Sequence, residues 1–140
     1  MLRRSLGLLT LLLCLVGCRL PNQEALQPLP GDAKSFLFAD LVARLRSQSS
    51  AALDAYYVDG WAELELAAQR LEETSRFLPR AQEIPDHLAS KVEAESSALR
   101  QDALKLGEAA KMKSAAAVND AIQRIGVRIR QLRPAEKAVP

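Results

Sequence analysis

The chain has 140 residues, with 19 basic and 17 acidic side chains, a formal charge of +2 and a hydrophobic content of 49%. That length suits one domain, and so small a net charge gives no global field for nucleic acid. Two cysteines and one histidine in the whole chain leave little material for thiol or imidazole chemistry, and no catalytic motif, metal site or phosphate-binding loop is written in the sequence.

The N-terminus carries a basic pair, Arg3 and Arg4, then an apolar run from Leu6 to Val16 and a small residue, Gly17, which is the layout of a secretory signal. The run is too short to span a bilayer, which takes about 20 apolar residues, and Arg19, Asn22, Gln23 and Glu24 follow it at once. Leu15-Val16-Gly17-Cys18 resembles the lipobox of bacterial lipoproteins. The resemblance implies removal of residues 1–17 and a mature protein that begins at Cys18, with a diacylglyceryl thioether and an acylated amine. Several acyl chains together hold a protein on a membrane far better than one. Cys14 lies in the discarded segment, so the mature chain has no pair of thiols for an intramolecular disulfide. Arg19 is not the aspartate that favours inner-membrane retention, which points to the outer membrane with the domain facing the periplasm.

Processing takes away Arg3 and Arg4, leaving 17 basic residues against 17 acidic ones. The charge is unevenly spread: residues 18–110 carry 10 basic and 15 acidic groups, and residues 111–140 carry 7 basic and 2 acidic. Pro21, Pro28, Pro30 and Gly31 among polar residues give residues 18–33 the composition of a lipidated N-terminus and flexible tether. Fully extended, this tether would reach roughly 45 Å. Residues 134–140 read as a frayed tail, and 34–133 as one helical domain.

Four amphipathic segments fill that domain. The first runs from about Lys34 to Tyr57, with Phe38, Leu41, Val42, Leu45, Ala52 and Tyr56 at helical spacing and Gln48 and Ser49 interrupting the stripe. Asp59 or Gly60 is placed to cap the second, where Trp61, Leu64, Ala68, Leu71 and Leu78 follow, with Ser75 between the last two, until Pro79 stops it. Asp86 is placed to cap the third, whose stripe is Leu88, Val92, Leu99, Ala103, Leu106 and Ala110, with Glu95 at its solvent edge. The fourth starts near Ser114 and runs through Val118, Ile122, Ile125, Ile129 and Leu132. Short connections make successive helices antiparallel neighbours, so the expected architecture is an all-α, antiparallel up-down-up-down four-helix bundle.

Leu41-Val42 with Leu45 and Gln48, Ala67-Ala68 with Leu71, and Leu106 with Ala109-Ala110-Lys111 give the domain a pattern that resembles the cytochrome c prime-like four-helix bundles. Members of that family attach haem through Cys-x-x-Cys-His near the end of the fourth helix. Here one register puts Ile122, Ile125 and Gly126 at those positions and another puts Ile129, Leu132 and Arg133 there. Neither supplies sulfur or imidazole, so covalent haem attachment is excluded and a packed aliphatic core is expected instead. His87 and Met112 are the candidates for non-covalent axial ligation; an exposed or capping place is expected for the first, and the turn before the last helix for the second. No Glu-x-x-His pair suggests a di-iron site, and no cofactor is expected.

Arg124, Arg128, Arg130 and Arg133 cluster on the other faces of the last helix. Positive charge near a helix C-terminus is favourable by about 0.3–1 kcal/mol per group, which accounts for part of the cluster as a solvated face. The rest marks these four arginines as the candidate docking face for an acidic envelope partner or anionic headgroups. Tyr56, Tyr57 and Trp61 cluster at the first hairpin, where a core plug closing one end of the bundle is expected, with a contact patch as the alternative. The sequence therefore suggests a non-enzymatic, lipid-anchored interaction or structural module. Its alternative is a bundle that binds a small apolar molecule or free haem in its core. The oligomeric state is left open.

Overall fold

The computed structural model describes residues 24–29 and 36–133; the signal segment, Cys18 and the tail from 134 lie outside the described residues. Among the described residues there are five helices: α1, Phe38–Tyr57; α2, Trp61–Ser75; the single-turn α3, Asp86–Ala89; α4, Val92–Lys111; and α5, Ala115–Gln131. A 3₁₀ turn, Leu78–Arg80, follows α2. Among the described residues there is no strand, only one isolated bridge between Leu37 and Gln82.

The four long helices pack α1 on α2, α2 on α4, α4 on α5 and α5 on α1, giving a helical, bundle-like domain. Cross-helix pairs fix their directions. Going back along α2 from Ser75 through Glu72 to Glu65, the partners are Ser96, Arg100 and Lys111, going forward along α4, so these two run antiparallel. Asp102 meets Arg124 and Arg128, and Glu95 meets Arg128, so α4 and α5 do too. The hydroxyl of Tyr56 donates to the carbonyl of Ala115 at 3.3 Å, which puts the α1–α2 and α4–α5 turns at the same end.

The stripes become the core. Phe38, Leu41, Leu45, Leu64, Leu71, Leu78, Leu99, Leu106, Ile125 and Leu132 are all fully enclosed. Each such side chain contributes about 1.5–3 kcal/mol by leaving water, which stabilises helices that lack side-chain capping hydrogen bonds: none of the five has one. Ala121 joins the core of α5, while Ile122 is only partly covered. Alanines at Ala52, Ala67, Ala68, Ala103, Ala109 and Ala110 are buried too, and their small side chains let the helices approach closely.

Several boundaries differ from the sequence expectation. Helix α1 begins at Phe38, because Leu37 is extended and the chain on either side of it bonds Gln82: the Gln82 N–H donates to the Phe36 carbonyl at 2.8 Å and the Phe38 N–H donates to the Gln82 carbonyl at 2.9 Å. Helix α2 ends at Ser75, whose hydroxyl bonds back to the Leu71 carbonyl at 2.6 Å, a contact that competes with the regular ladder. Leu78 still reaches the core through the 3₁₀ turn that contains Pro79. Asp86 is not a cap: Pro85 holds that position and Asp86 is the first helical residue. The third segment is broken at Ser90 and Lys91 into α3 and α4, a bend that leaves Leu88 and Val92 both buried. Gly60, not Asp59, caps α2, with Asp59 in the left-handed region at φ 54°.

Residues 24–29 belong to the stretch with linker composition, yet they are docked. Ala25 is buried, and three consecutive carbonyls, those of Ala25, Leu26 and Gln27, accept from Gln48, Arg70 and Arg44. A segment held in this way is not part of a freely extending tether.

Candidate functional site

Helix α5 was expected to present its arginines, and the structure divides them. Asp102 on α4 stands three residues after Leu99 and four before Leu106, hence on the buried face, and only 3% of it is exposed. Arg124 donates from Nε to its Oδ1 at 2.8 Å, and Arg128 donates from Nε to its Oδ2 at 2.6 Å. The i, i+4 spacing of the arginines puts both guanidinium groups over one carboxylate. Arg124 also pairs with Asp120, and Arg128 reaches Glu95 at 3.4 Å. Glu95, placed at the solvent edge by the sequence, is half-buried and closes this network.

Burial pushes the Asp102 carboxyl up, but the hydrogen bonds from Arg128 and Arg124 outweigh it and hold the group below its ordinary value. The same hydrogen bonds raise both arginines. Arg124 and Arg128 are therefore committed to fastening α5 onto α4. Arg130 and Arg133 are exposed and remain on the surface as the basic part of the predicted docking face.

A second polar arrangement closes the α1–α2 seam. Gln48 is 0% exposed, and its Nε2 donates to the Ala25 carbonyl and to Thr74 Oγ1, both at 2.9 Å. Its Oε1 is buried without a partner. Arg70 Nε donates to the Leu26 carbonyl at 2.8 Å while its Nη1 pairs with Glu73 at 2.7 Å. Arg44 lies in the same crowd, and burial, with the neighbouring Arg70, lowers its pKa against the opposing pull of Glu73.

A groove of about 690 Å³ opens between the end of α2 and the start of α4 and includes Leu29, Phe77, Arg76, Arg80 and Arg100. Its charge is offset locally. Arg76 and Arg100 both bond Glu72 Oε1, at 2.7 and 3.2 Å, and Glu73 and Glu93 line the same walls. Its mixed, open lining does not form an apolar core cavity.

The remaining candidates are placed as follows. His87 is exposed on α3, and Met112 is exposed just after α4, at the turn; they lie on different elements. Ile125 and Ile129, at the positions where haem-binding cysteine would be sought, are core residues. Tyr56 and Trp61 pack against the core, but Tyr57 points out and does not plug the bundle end. Among the described residues no group of three or more acidic, histidine or cysteine side chains could hold a metal ion, and no helix is long and apolar enough to cross a membrane. Cys18 lies outside the described residues.

Asp102 and Gln48 were missed as site residues by sequence reasoning. The available signal was their place within an apolar stripe, since a polar side chain at such a position must find partners or cost stability. Comparisons with protein-family models, curated proteins and solved structures return no match to this chain.

Proposed function

We propose that the protein is a lipid-anchored component of a bacterial cell envelope whose haem-free helical domain serves as an interaction or structural module. The observation that carries this reading is Leu15-Val16-Gly17-Cys18, placed after a basic and apolar leader and before polar residues. The arrangement of the long helices is read as an antiparallel up-down-up-down four-helix bundle of the cytochrome c prime-like kind, without its prosthetic group. Aliphatic packing at Ile125 and Ile129 supports a core filled by side chains and weighs against the small-molecule or free-haem alternative. The outer membrane, with the domain facing the periplasm, is the proposed location.

The docking face under this reading narrows to Arg130 and Arg133. Cys18→Ser is expected to move the protein from the membrane to the soluble fraction, and the intact mass of the wild-type N-terminus should include acyl chains. A membrane-bound protein with an unmodified Cys18 would overturn the anchor. A Soret band in the purified protein would overturn the haem-free core. Loss of crosslinked partner in Arg130→Glu with Arg133→Glu supports the basic face, and unchanged capture counts against it.

A further inference from the structure

Large apolar side chains on the surface of the described residues are not scattered evenly. The three most exposed are Val58 at 77%, Tyr57 at 74% and Met112 at 71%. Tyr57 and Val58 belong to the α1–α2 turn, and Met112 to the α4–α5 turn. These turns are joined by the Tyr56–Ala115 hydrogen bond, so all three side chains lie on one tip of the domain. Ala115, Ala116 and Ala117 extend the apolar surface there and are exposed as well. At the opposite end the exposed residues include Arg80, Gln82, Glu83, Asp86, His87, Lys91 and Arg133. The other exposed large apolar side chains, Leu104 at 55%, Val127 at 45% and Leu37 at 39%, fall singly on α4, on α5 and just before α1, whereas a gathered apolar cluster marks a contact surface.

We infer that this tip rests in the membrane interface beside the acyl chains, giving the domain a second membrane contact and a fixed orientation. The inference rests on the proposed lipidation of Cys18. The course and length of the upstream chain fit it. Going back from Leu29, which lies beside Phe77, through Gln27, bonded to Arg44, to Ala25, whose carbonyl accepts from Gln48, the backbone climbs along α1 toward the tip. Nine residues of α1 separate Gln48 from Tyr57, a rise of about 14 Å. Seven residues separate Cys18 from Ala25 and span up to about 24 Å. The lipidated residue can therefore reach the plane of the tip while residues 24–29 stay docked.

The chemistry of the tip fits a bilayer interface. Tyrosine presents an apolar ring and a polar edge, the combination favoured at headgroup level, and Val58 and Met112 supply purely apolar area. The nearby charges are mixed: Lys111, already paired with Glu65 at 3.4 Å, and Lys113 stand with Asp59 and Glu63. Attraction to anionic lipid is not needed, and an uncharged zwitterionic surface is sufficient.

Fluorescence quenching by brominated phosphatidylcholine vesicles, using the acylated full chain, tests this orientation. Trp61 is the only tryptophan, so Trp61→Phe provides a dark background for Tyr57→Trp at the tip or Ala89→Trp at the other end. About a twofold loss of emission at Tyr57→Trp with little loss at Ala89→Trp is expected. Adding Val58→Asp and Met112→Asp, both exposed positions, should abolish the quenching while leaving the helical spectrum unchanged. Equal quenching at both ends, stronger quenching at Ala89→Trp, or none at either overturns the proposal, as does concentration-dependent pairing that shields Tyr57→Trp from the vesicle. The mass at Cys18 separates the two readings. Acyl chains without tip quenching sink the orientation alone, tip quenching without acyl chains sinks the anchor alone, and the absence of both sinks both.

Discussion

The seam between α4 and α5 and the seam between α1 and α2 are each closed by a polar side chain on an apolar stripe, by different physics. Asp102 is a charge, neutralised by two arginines from the facing helix. Gln48 is a neutral amide that ties the upstream residue Ala25 and Thr74 of the next helix together. The first seam uses electrostatics and is therefore sensitive to protonation. The second uses amide and hydroxyl hydrogen bonds, which do not titrate with it. Polar interruptions that look alike in a helical pattern thus serve helix pairing in one place and capture of a neighbouring segment in the other.

The sharpest break in this comparison is Asp102→Ala. It leaves two guanidinium groups crowded together without their carboxylate and should cost about 3 kcal/mol, near the low end for a broken buried pair because both arginines are about one-third exposed. Urea denaturation would measure it, and a loss below about 1 kcal/mol would show that solvent already replaces the clamp. The pH dependence follows from the lowered pKa of Asp102. Its stabilisation is complete above the unfolded carboxyl value of about 3.9 and is lost as pH falls through the folded value. The stability gap between wild type and Asp102→Asn should therefore be widest near neutrality and narrow below about pH 4; a gap independent of pH would contradict the clamp.

Gln48→Ala comes next, at about 2 kcal/mol, from lost packing and from the Ala25 carbonyl and Thr74 hydroxyl left without their donor. Unlike Asp102→Ala, it should also release residues 24–29, visible as faster amide exchange or proteolysis there, with no change in pH dependence. Gly107→Ala should raise stability by about 0.5–1 kcal/mol, since a Cβ there would meet Ala68 Cβ at an ordinary 3.7 Å. Lys111→Ala, which removes only the exposed pair with Glu65, should change stability by about 0.3 kcal/mol or less. Thermal midpoints of these two variants would set the scale against which the buried seams are judged.

The apolar stripes were legible because a period of 3.6 residues is a property of each segment alone. Leu41 with Leu45, Leu64 with Leu71, Leu99 with Leu106 and Ile125 with Ile129 are buried where that period puts them. The turn at residues 58–60 and the start of the last helix at Ser114 were legible for the same local reason. The leader and Leu15-Val16-Gly17-Cys18 are likewise local patterns, and the expectation drawn from them rests on sequence.

What only the tertiary structure decided is where a polar group finds its partner. Arg124, Arg128 and Arg130 share α5, and Arg133 follows two residues after its end. Yet Arg124 and Arg128 face Asp102 across a helix boundary, and Arg130 and Arg133 face water. Docking of residues 24–29 depends on Gln48, Arg70 and Arg44 from two other helices, which linker composition does not record. The gathering of Tyr57, Val58 and Met112 on one tip depends on two turns more than fifty residues apart. Hydrophobic periodicity is set by each helix on its own. Pairing, docking and surface patches are set by which helices become neighbours, and that is decided only when the chain packs.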